Sequence, residues 1–307
     1  MTRRAWIQFG FLAAFWGASY LFIKVALEDD FGAAPIVFIR TALAALVLLP
    51  LAASTGALAG LRGQVGPIFV LAAIQVAAPF LLISAGEQHL PSSLTGILVA
   101  TAPIFTFLLA FALSGEERAG ALSLVGVGIG VVGVGLLLGV DAGGGTSALV
   151  GGLLVVLASF GYGLGAWFLK RRIRGVQPVG VVAATMAASA LMVFPLALID
   201  LPPHGPGLDT VASLAALGVL GTGVSFVLFY SLIAGVGPAK ASLVAYVAPG
   251  FSVIYGVTLL DESFSVATAA GLVLIVGGSW LAAEGRPPWR RRQEVTGTVS
   301  AAAAEAA

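Results

Sequence analysis

The chain is 307 residues long, 59% hydrophobic and 9% charged, with 41 glycines, no cysteine and a formal net charge of +1. A soluble domain carries about 25% charged residues; this composition leaves too little polar surface for water, whereas helices in lipid satisfy their own backbone and need none. Disulfides and thiolate metal sites are excluded, and the near-zero charge gives no bulk attraction to nucleic acid.

Ten apolar runs follow one another, at 5–27, 34–53, 65–86, 91–113, 119–139, 148–170, 178–199, 210–234, 238–260 and 266–283. Each is about 20 residues, enough to cross a ~30 Å hydrocarbon core as a helix. Turn-formers and charges interrupt them, as in Glu28–Gly32, Ser114–Arg118 and Leu201–Gly207. The basic start followed by an apolar run imitates a signal peptide. That run reaches Ile23 and holds Trp16 and Tyr20, longer and bulkier than the usual h-region of about 7 to 15 residues, so it is read as a retained first span.

Lys and Arg gather on the cytoplasmic side of membrane helices. With the N-terminus inside, 13 of the 15 basic residues fall on the inner side. Lys24 and Arg40 lie in the outer parts of spans one and two. No outer loop holds a Lys or Arg, while Glu28, Asp29, Asp30, Asp141, Asp200, Asp209, Asp261 and Glu262 sit there. Both termini are therefore expected in the cytoplasm, with residues 285–307 as a disordered tail whose Arg290, Arg291 and Arg292 meet anionic lipid.

The chain is duplicated. Ser92–Glu117 returns as Pro238–Ser263, and a shift of 146 places Pro103 on Pro249, Glu116 on Glu262, Lys24 on Lys170 and Gly17 on Gly163. Pro35 and Pro50 bracket span two as Pro178 and Pro195 bracket span seven, while Gly126 and Gly133 of span five match Gly271 and Gly278 of span ten. The units are read as 1–141 and 146–284. Five spans per unit is an odd number, so the halves lie in opposite orientations. Inverted repeats are a hallmark of secondary transporters, whose substrates bind near the midplane between halves.

The residues exclude several chemistries. None of Lys24, Lys170 and Lys240 follows a glycine, so there is no Walker A phosphate loop, and His89 and His204 lack metal-ligand spacing. Neither a cofactor nor a metal is expected. Gly128, Gly130 and Gly133 spell G-x-G-x-x-G, but within one apolar span and without a preceding strand, which reads as helix packing. No serine, histidine and acid set suggests an enzyme.

Intramembrane ionisable groups are candidates for function. Lys24 lies about 27 Å along span one, where a lysine can snorkel to headgroups. Arg40 lies roughly 7 Å below the outer surface as a cavity or gate residue. Glu87, at the outer end of span three, can pair with either cation or simply be solvated; if the three converge, they make a polar outer gate or a proton-titratable site. Deeper in, Trp16, Gln75 and Tyr246 sit roughly 12 to 15 Å from the surface. Gln75 needs partners in hydrocarbon, as substrate contact or interhelical glue. Tyr20, Tyr162, Trp167 and Tyr230 complete an aromatic set able to line a cavity or simply pack. Pro103 and Pro249 each free a backbone carbonyl in mid-span, marking a broken helix at the substrate site or a passive kink. With no charge at the centre, the substrate is expected to be neutral, zwitterionic or lipophilic.

The Trp-Gly motif and lysine of span one, Pro35 followed by Arg40, and the fourth span running from Ala100-Thr101-Ala102-Pro103 to Ser114-Gly115-Glu116-Glu117 resemble, as an ordered set, the EamA domains of the drug/metabolite transporter superfamily. The resemblance runs from about Trp6 to Ala283. It implies an all-α integral membrane protein of about ten helices, two inverted five-helix repeats around a central cavity, with spans five and ten bracing the outside. It further implies a secondary transporter in the inner membrane, often an exporter, whose partners are a small-molecule substrate, lipid and, as a candidate coupling ion, protons. This sequence departs from an ideal duplication where Arg40 aligns with Ala183. The rival reading is a membrane protein that does not transport, a lipid-handling flippase or an assembly subunit.

Overall fold

The computed structural model describes residues 1–114, 120–141 and 145–284, and every regular element among them is helical. The ten helices are α1 (Arg3–Glu28), α2 (Ala33–Ser54), α3 (Val65–Glu87), α4 (Ser92–Leu113), α5 (Ala121–Gly139), α6 (Thr146–Arg172), α7 (Pro178–Ile199), α8 (Leu208–Val236), α9 (Val244–Leu259) and α10 (Val266–Glu284). All but α9 are long and apolar enough to cross a membrane alone. A single turn, Pro238–Ala241, precedes α9 and completes the tenth crossing. Local chemistry sets the starts: Thr2 Oγ1 accepts from the Ala5 N–H at 3.2 Å before α1, and Pro178 opens α7 where its missing N–H costs no hydrogen bond. Glu116 and Glu117, expected at the inner end of α4, and the tail after Glu284 lie outside the described residues.

The packing has two-fold pseudosymmetry. Helix α2 lies on α7, α5 on α10 and α4 on α9, while α1 against α8 and α9 matches α6 against α3 and α4. Exchanging each helix for its repeat mate returns these main contacts, while the packing of α10 on α4 has no equivalent between α5 and α9. Glycines make the crossings close. A Cβ on Gly17 would sit 2.5 Å from Phe251 Cβ, and one on Gly163 would sit 2.8 Å from the Phe105 carbonyl carbon. Phe105 and Phe251 are themselves 146 apart, so the same close approach is built twice. In α5, a Cβ on Gly126 would lie 2.5 Å from the Ala282 nitrogen, and one on Gly278 would lie 2.6 Å from the Gly130 nitrogen. Of the G-x-G-x-x-G string, Gly130 and Gly133 lie on packing faces, against Ile104 and Ile275, while a Cβ on Gly128 would meet nothing within 4 Å. The opposite faces of the α5–α10 pair, with Val131, Val132 and Val273, are exposed and suited to lipid.

Two kinds of interruption shape the interior. Helix α4 opens at Ala100 and Thr101, just before Pro103. Neighbours satisfy the freed carbonyls: Ser279 Oγ of α10 donates to Ala100 O at 2.6 Å, and Ser159 Oγ of α6 reaches Leu98 O and Val99 O at 3.4 Å each. Pro249, by contrast, lies inside α9, which continues through it; the break in that span falls earlier, at Ser242 and Leu243. The positions 146 before Ser159 and Ser279 are Ala13 and Gly133, which bring no hydroxyl to hold an opened backbone. The second interruption is a pair of π-turns, Ala73–Ala77 in α3 and Val219–Val224 in α8, whose first residues are again 146 apart. In α8 two hydroxyls bond five residues back, Thr222 to Leu217 O at 2.9 Å and Ser225 to Leu220 O at 2.7 Å.

Candidate functional site

Arg40 is buried on α2, only 8% exposed. Its Nε donates to Thr222 Oγ1 at 2.9 Å, and its guanidinium carbon lies 3.7 Å from the centroid of the Phe80 ring. A hydrogen bond to a charged group contributes about 1.5–3 kcal/mol and a desolvated cation–π contact about 2 kcal/mol, enough to hold a guanidinium inside a bundle. The π-turn of α8 presents Thr222 to Arg40, so the second repeat positions the cation of the first. The terminal guanidinium nitrogens make no hydrogen bond among the described residues.

Glu87 closes α3. It has no accessible surface, and neither carboxyl oxygen has a hydrogen-bond partner among the described residues. Lys24 approaches it from α1, but the ammonium donates to the backbone carbonyls of Glu87 and Leu90 at 3.3 and 3.2 Å. Lys24 therefore serves the C-terminal end of α3, where free carbonyls and the helix dipole favour a cation. Tyr20 on α1 and Tyr162 on α6 complete the cluster. Both keep some accessible surface and interact electrostatically with Arg40, and Tyr20 with Glu87 as well, while neither hydroxyl makes a hydrogen bond among the described residues. Four helices thus bring together a guanidinium, a carboxyl and two phenols, all with unused hydrogen-bonding capacity.

Above the cluster opens a cavity of about 700 Å³, lined by Lys24, Glu28, Asp30, Gln88 and Asp200 among others. The acids around it tie the two repeats together at helix N-termini, where negative charge is favoured. Glu262 accepts from the N–H groups of Ser92 and Ser93 at 2.6 and 3.0 Å, starting α4. Asp29 accepts from the Thr210 hydroxyl at 2.6 Å and the Gly207 N–H at 2.9 Å, starting α8; these bonds hold its carboxyl below the ordinary carboxylate range. Asp200 accepts from the Ala34 N–H at 3.4 Å, and His204 Nε2 lies 3.6 Å from Asp30. The Gly205 carbonyl and then Asp30 raise the affinity of His204 for its proton.

The remaining sequence candidates are engaged elsewhere. Trp16 packs on Phe229 and Phe226 of α8, with ring centroids 5.3 and 6.4 Å away. Gln75 lies in the α3 π-turn against Gly165. Pro79 follows, and its absent N–H leaves the Gln75 carbonyl without its usual helical donor. Trp167 lies 5.2 Å from the Arg171 guanidinium, and its buried Nε1 has no partner. Tyr246 interacts with Glu284 at the end of α10. Pro103 stands at the α4 break, and the carbonyl of Pro249 accepts from Ser252 Oγ at 2.7 Å. Sequence reasoning missed Thr222 and Phe80. The available signal was Thr222 itself, a hydroxyl between two glycines in mid-span.

The geometry agrees with what the chain is similar to. The model of the EamA-like transporter family matches twice, at residues 4–139 and 149–283. The "Uncharacterized transporter YdfC" of Bacillus subtilis (strain 168) is 26% identical over 284 residues, covering 90% of each chain. The "Probable terminal-alkyne amino-acid exporter" of Streptantibioticus cattleyicolor is 26% identical over 284 residues, covering 92% of this chain and 93% of that one. A solved crystal structure aligns with a TM-score of 0.64 at 21% identity over 92% of this chain and 97% of the other, which speaks for the fold alone. Two matched repeats, each of five membrane helices and related by the 146-residue shift, place this chain in the EamA-like transporter family.

Proposed function

We propose that the protein is a secondary transporter exporting a small organic metabolite, an amino acid or a drug-like solute across the inner membrane by alternating access. One observation carries the proposal: Arg40, anchored across the repeats by Thr222, keeps free donors beside the Tyr20 and Tyr162 hydroxyls. A carboxylate-bearing or zwitterionic solute fits this arrangement. The guanidinium takes the acid end, and the aromatic walls of Trp16, Phe226 and Phe229 suit an apolar body. Residues 1–141 and 146–284 act as two units that rock about the α2–α7 and α5–α10 contacts, exposing the site to each side in turn. Both termini then lie in the cytoplasm, and the acid-lined mouth faces outward. The test is counterflow in proteoliposomes with pooled labelled amino acids and aromatic amines. At least one pool should exchange; no protein-dependent flux from any pool rejects the proposal.

A further inference from the structure

Glu87 is a buried acid for which the described residues supply no hydrogen-bond partner. An isolated carboxylate removed from water costs many kcal/mol and normally finds a counter-ion or a proton. The charged and titratable groups that face it are Lys24 and Tyr20 from α1, Arg40 from α2 and Glu262 from the turn between α9 and α10. None satisfies it. The Lys24 ammonium is held by two carbonyls, and Arg40 Nε by Thr222. The Tyr20 hydroxyl donates no hydrogen bond to it, and Glu262 is itself an acid, bound to the N–H groups of Ser92 and Ser93. Both Glu87 oxygens lie beyond solvent and beyond hydrogen-bond donors, and the one cation that fits without a cavity is a proton.

We propose that Glu87 is the proton-binding site of the carrier, occupied in this conformation and exchanging its proton with water through the outer mouth. Lys24 is the link between the two places, because it lines the mouth while its ammonium rests on the backbone carbonyl of Glu87. When the outer end of α3 separates from α1, the carboxylic acid O–H breaks and its proton passes to water in the mouth. The carboxylate left behind lies within reach of the released Lys24 ammonium. Closing the mouth over Glu87 requires a proton to return to the oxygen from that water, and when the opposite side of the carrier opens the O–H breaks again and the proton passes to water there, so one full cycle carries one proton inward. A carrier cycling in this way couples an inward proton to an outward solute. Only this coupling rests on the transporter reading; the protonated carboxyl is a property of the folded chain.

Two measurements separate them. Difference infrared spectroscopy on the purified full-length protein at neutral pH should show the carbonyl stretch of an unbonded carboxylic acid. The band should vanish in Glu87→Gln, move in Glu87→Asp and persist in Glu262→Gln. Its absence from the wild-type protein, or its persistence in a folded Glu87→Gln, overturns the proposal whether or not a solute is transported. In proteoliposomes loaded with the pooled labelled amino acids and aromatic amines, an inwardly directed proton gradient should speed wild-type efflux severalfold, and Glu87→Gln should lose that acceleration. Wild-type counterflow that ignores the gradient retains the transporter and removes the coupling. A band without any counterflow retains the protonated site and removes the transporter.

Discussion

The two repeats share one backbone plan and differ in the side chains they place at its two ends. In the first repeat Tyr20 and Glu87 stand with Arg40 and, from the other half, Tyr162. Their mates 146 positions on are Ala166 for Tyr20 and Ile233 for Glu87, while Tyr162 answers to Trp16 and Arg40 aligns with Ala183. One end of the pseudo-two-fold is therefore a guanidinium, an acid and phenols, and the other is aromatic and aliphatic. Gly17 and Gly163, the paired π-turns and the α5–α10 glycines are kept in both halves because helix crossing needs them, whatever passes between. Duplication supplies the shared frame, and single substitutions make one end of it polar.

The strongest way to break this comparison is to erase its polar side. Arg40→Ala should reduce flux by on the order of 100-fold, corresponding to about 3 kcal/mol of lost charged hydrogen bonding. Membrane insertion should be unchanged, as read by counterflow against the amount of protein in the vesicles. Placing an arginine at the mate, Ala183→Arg, should not restore flux, since the Thr222 acceptor has no counterpart there: the position 146 residues before it is Val76. Thr222→Val removes the anchor of the guanidinium, together with the hydroxyl's own bond to Leu217 O, and should lower flux about tenfold, equal to roughly 1.4 kcal/mol. Wild-type flux in Thr222→Val would show that the second repeat does not position Arg40.

The shared frame yields smaller effects. Gly126→Leu overpacks the α5–α10 crossing and should destabilise by about 1–3 kcal/mol. Gly128→Ala, which meets nothing within 4 Å, should leave the melting temperature unchanged. Glu262→Ala removes the acceptor for two N–H groups at the start of α4 and should cost about 1–2 kcal/mol, with faster hydrogen exchange at Ser92 and Ser93. The least effect belongs to Asp29. Its bonds to Thr210 and Gly207 depress its folded pKa, so its contribution is present above the unfolded carboxylate pKa and is lost as pH falls through the folded value. Asp29→Asn should flatten the acid limb of a melting-temperature profile; an unaltered limb would assign that limb to other acids.

Much of this was legible in the sequence because lipid imposes simple rules. Apolar length located the helices, and the 146-residue shift exposed the duplication. Intramembrane charge marked Arg40 and Glu87, whereas Tyr20 was readable only as one of an aromatic set, not as a neighbour of either. What stayed hidden were contacts between distant residues whose side chains look ordinary. The Arg40–Thr222 bond spans 182 positions, and Ser159 and Ser279, which hold the α4 break open, are single hydroxyls in apolar helices that hydropathy ignores. Pro103 and Pro249 illustrate the limit: both occupy repeat-equivalent positions, yet only the first adjoins an opened helix, because only there do neighbouring hydroxyls take up the carbonyls. Glu262 was readable as an outer acid but not as the start of α4, since its partners lie 170 and 169 residues away.

The absence of cysteine makes one experiment direct. A single cysteine at Tyr162, inside the polar cluster, can be probed with membrane-impermeant thiol reagents from each side of sealed vesicles. Alternating access predicts that Tyr162→Cys reacts from both sides, with the proton gradient shifting reactivity toward one of them. A cysteine that never reacts with aqueous reagent from either side would mean that no path leads to the Arg40 cluster, and the transport account would fail.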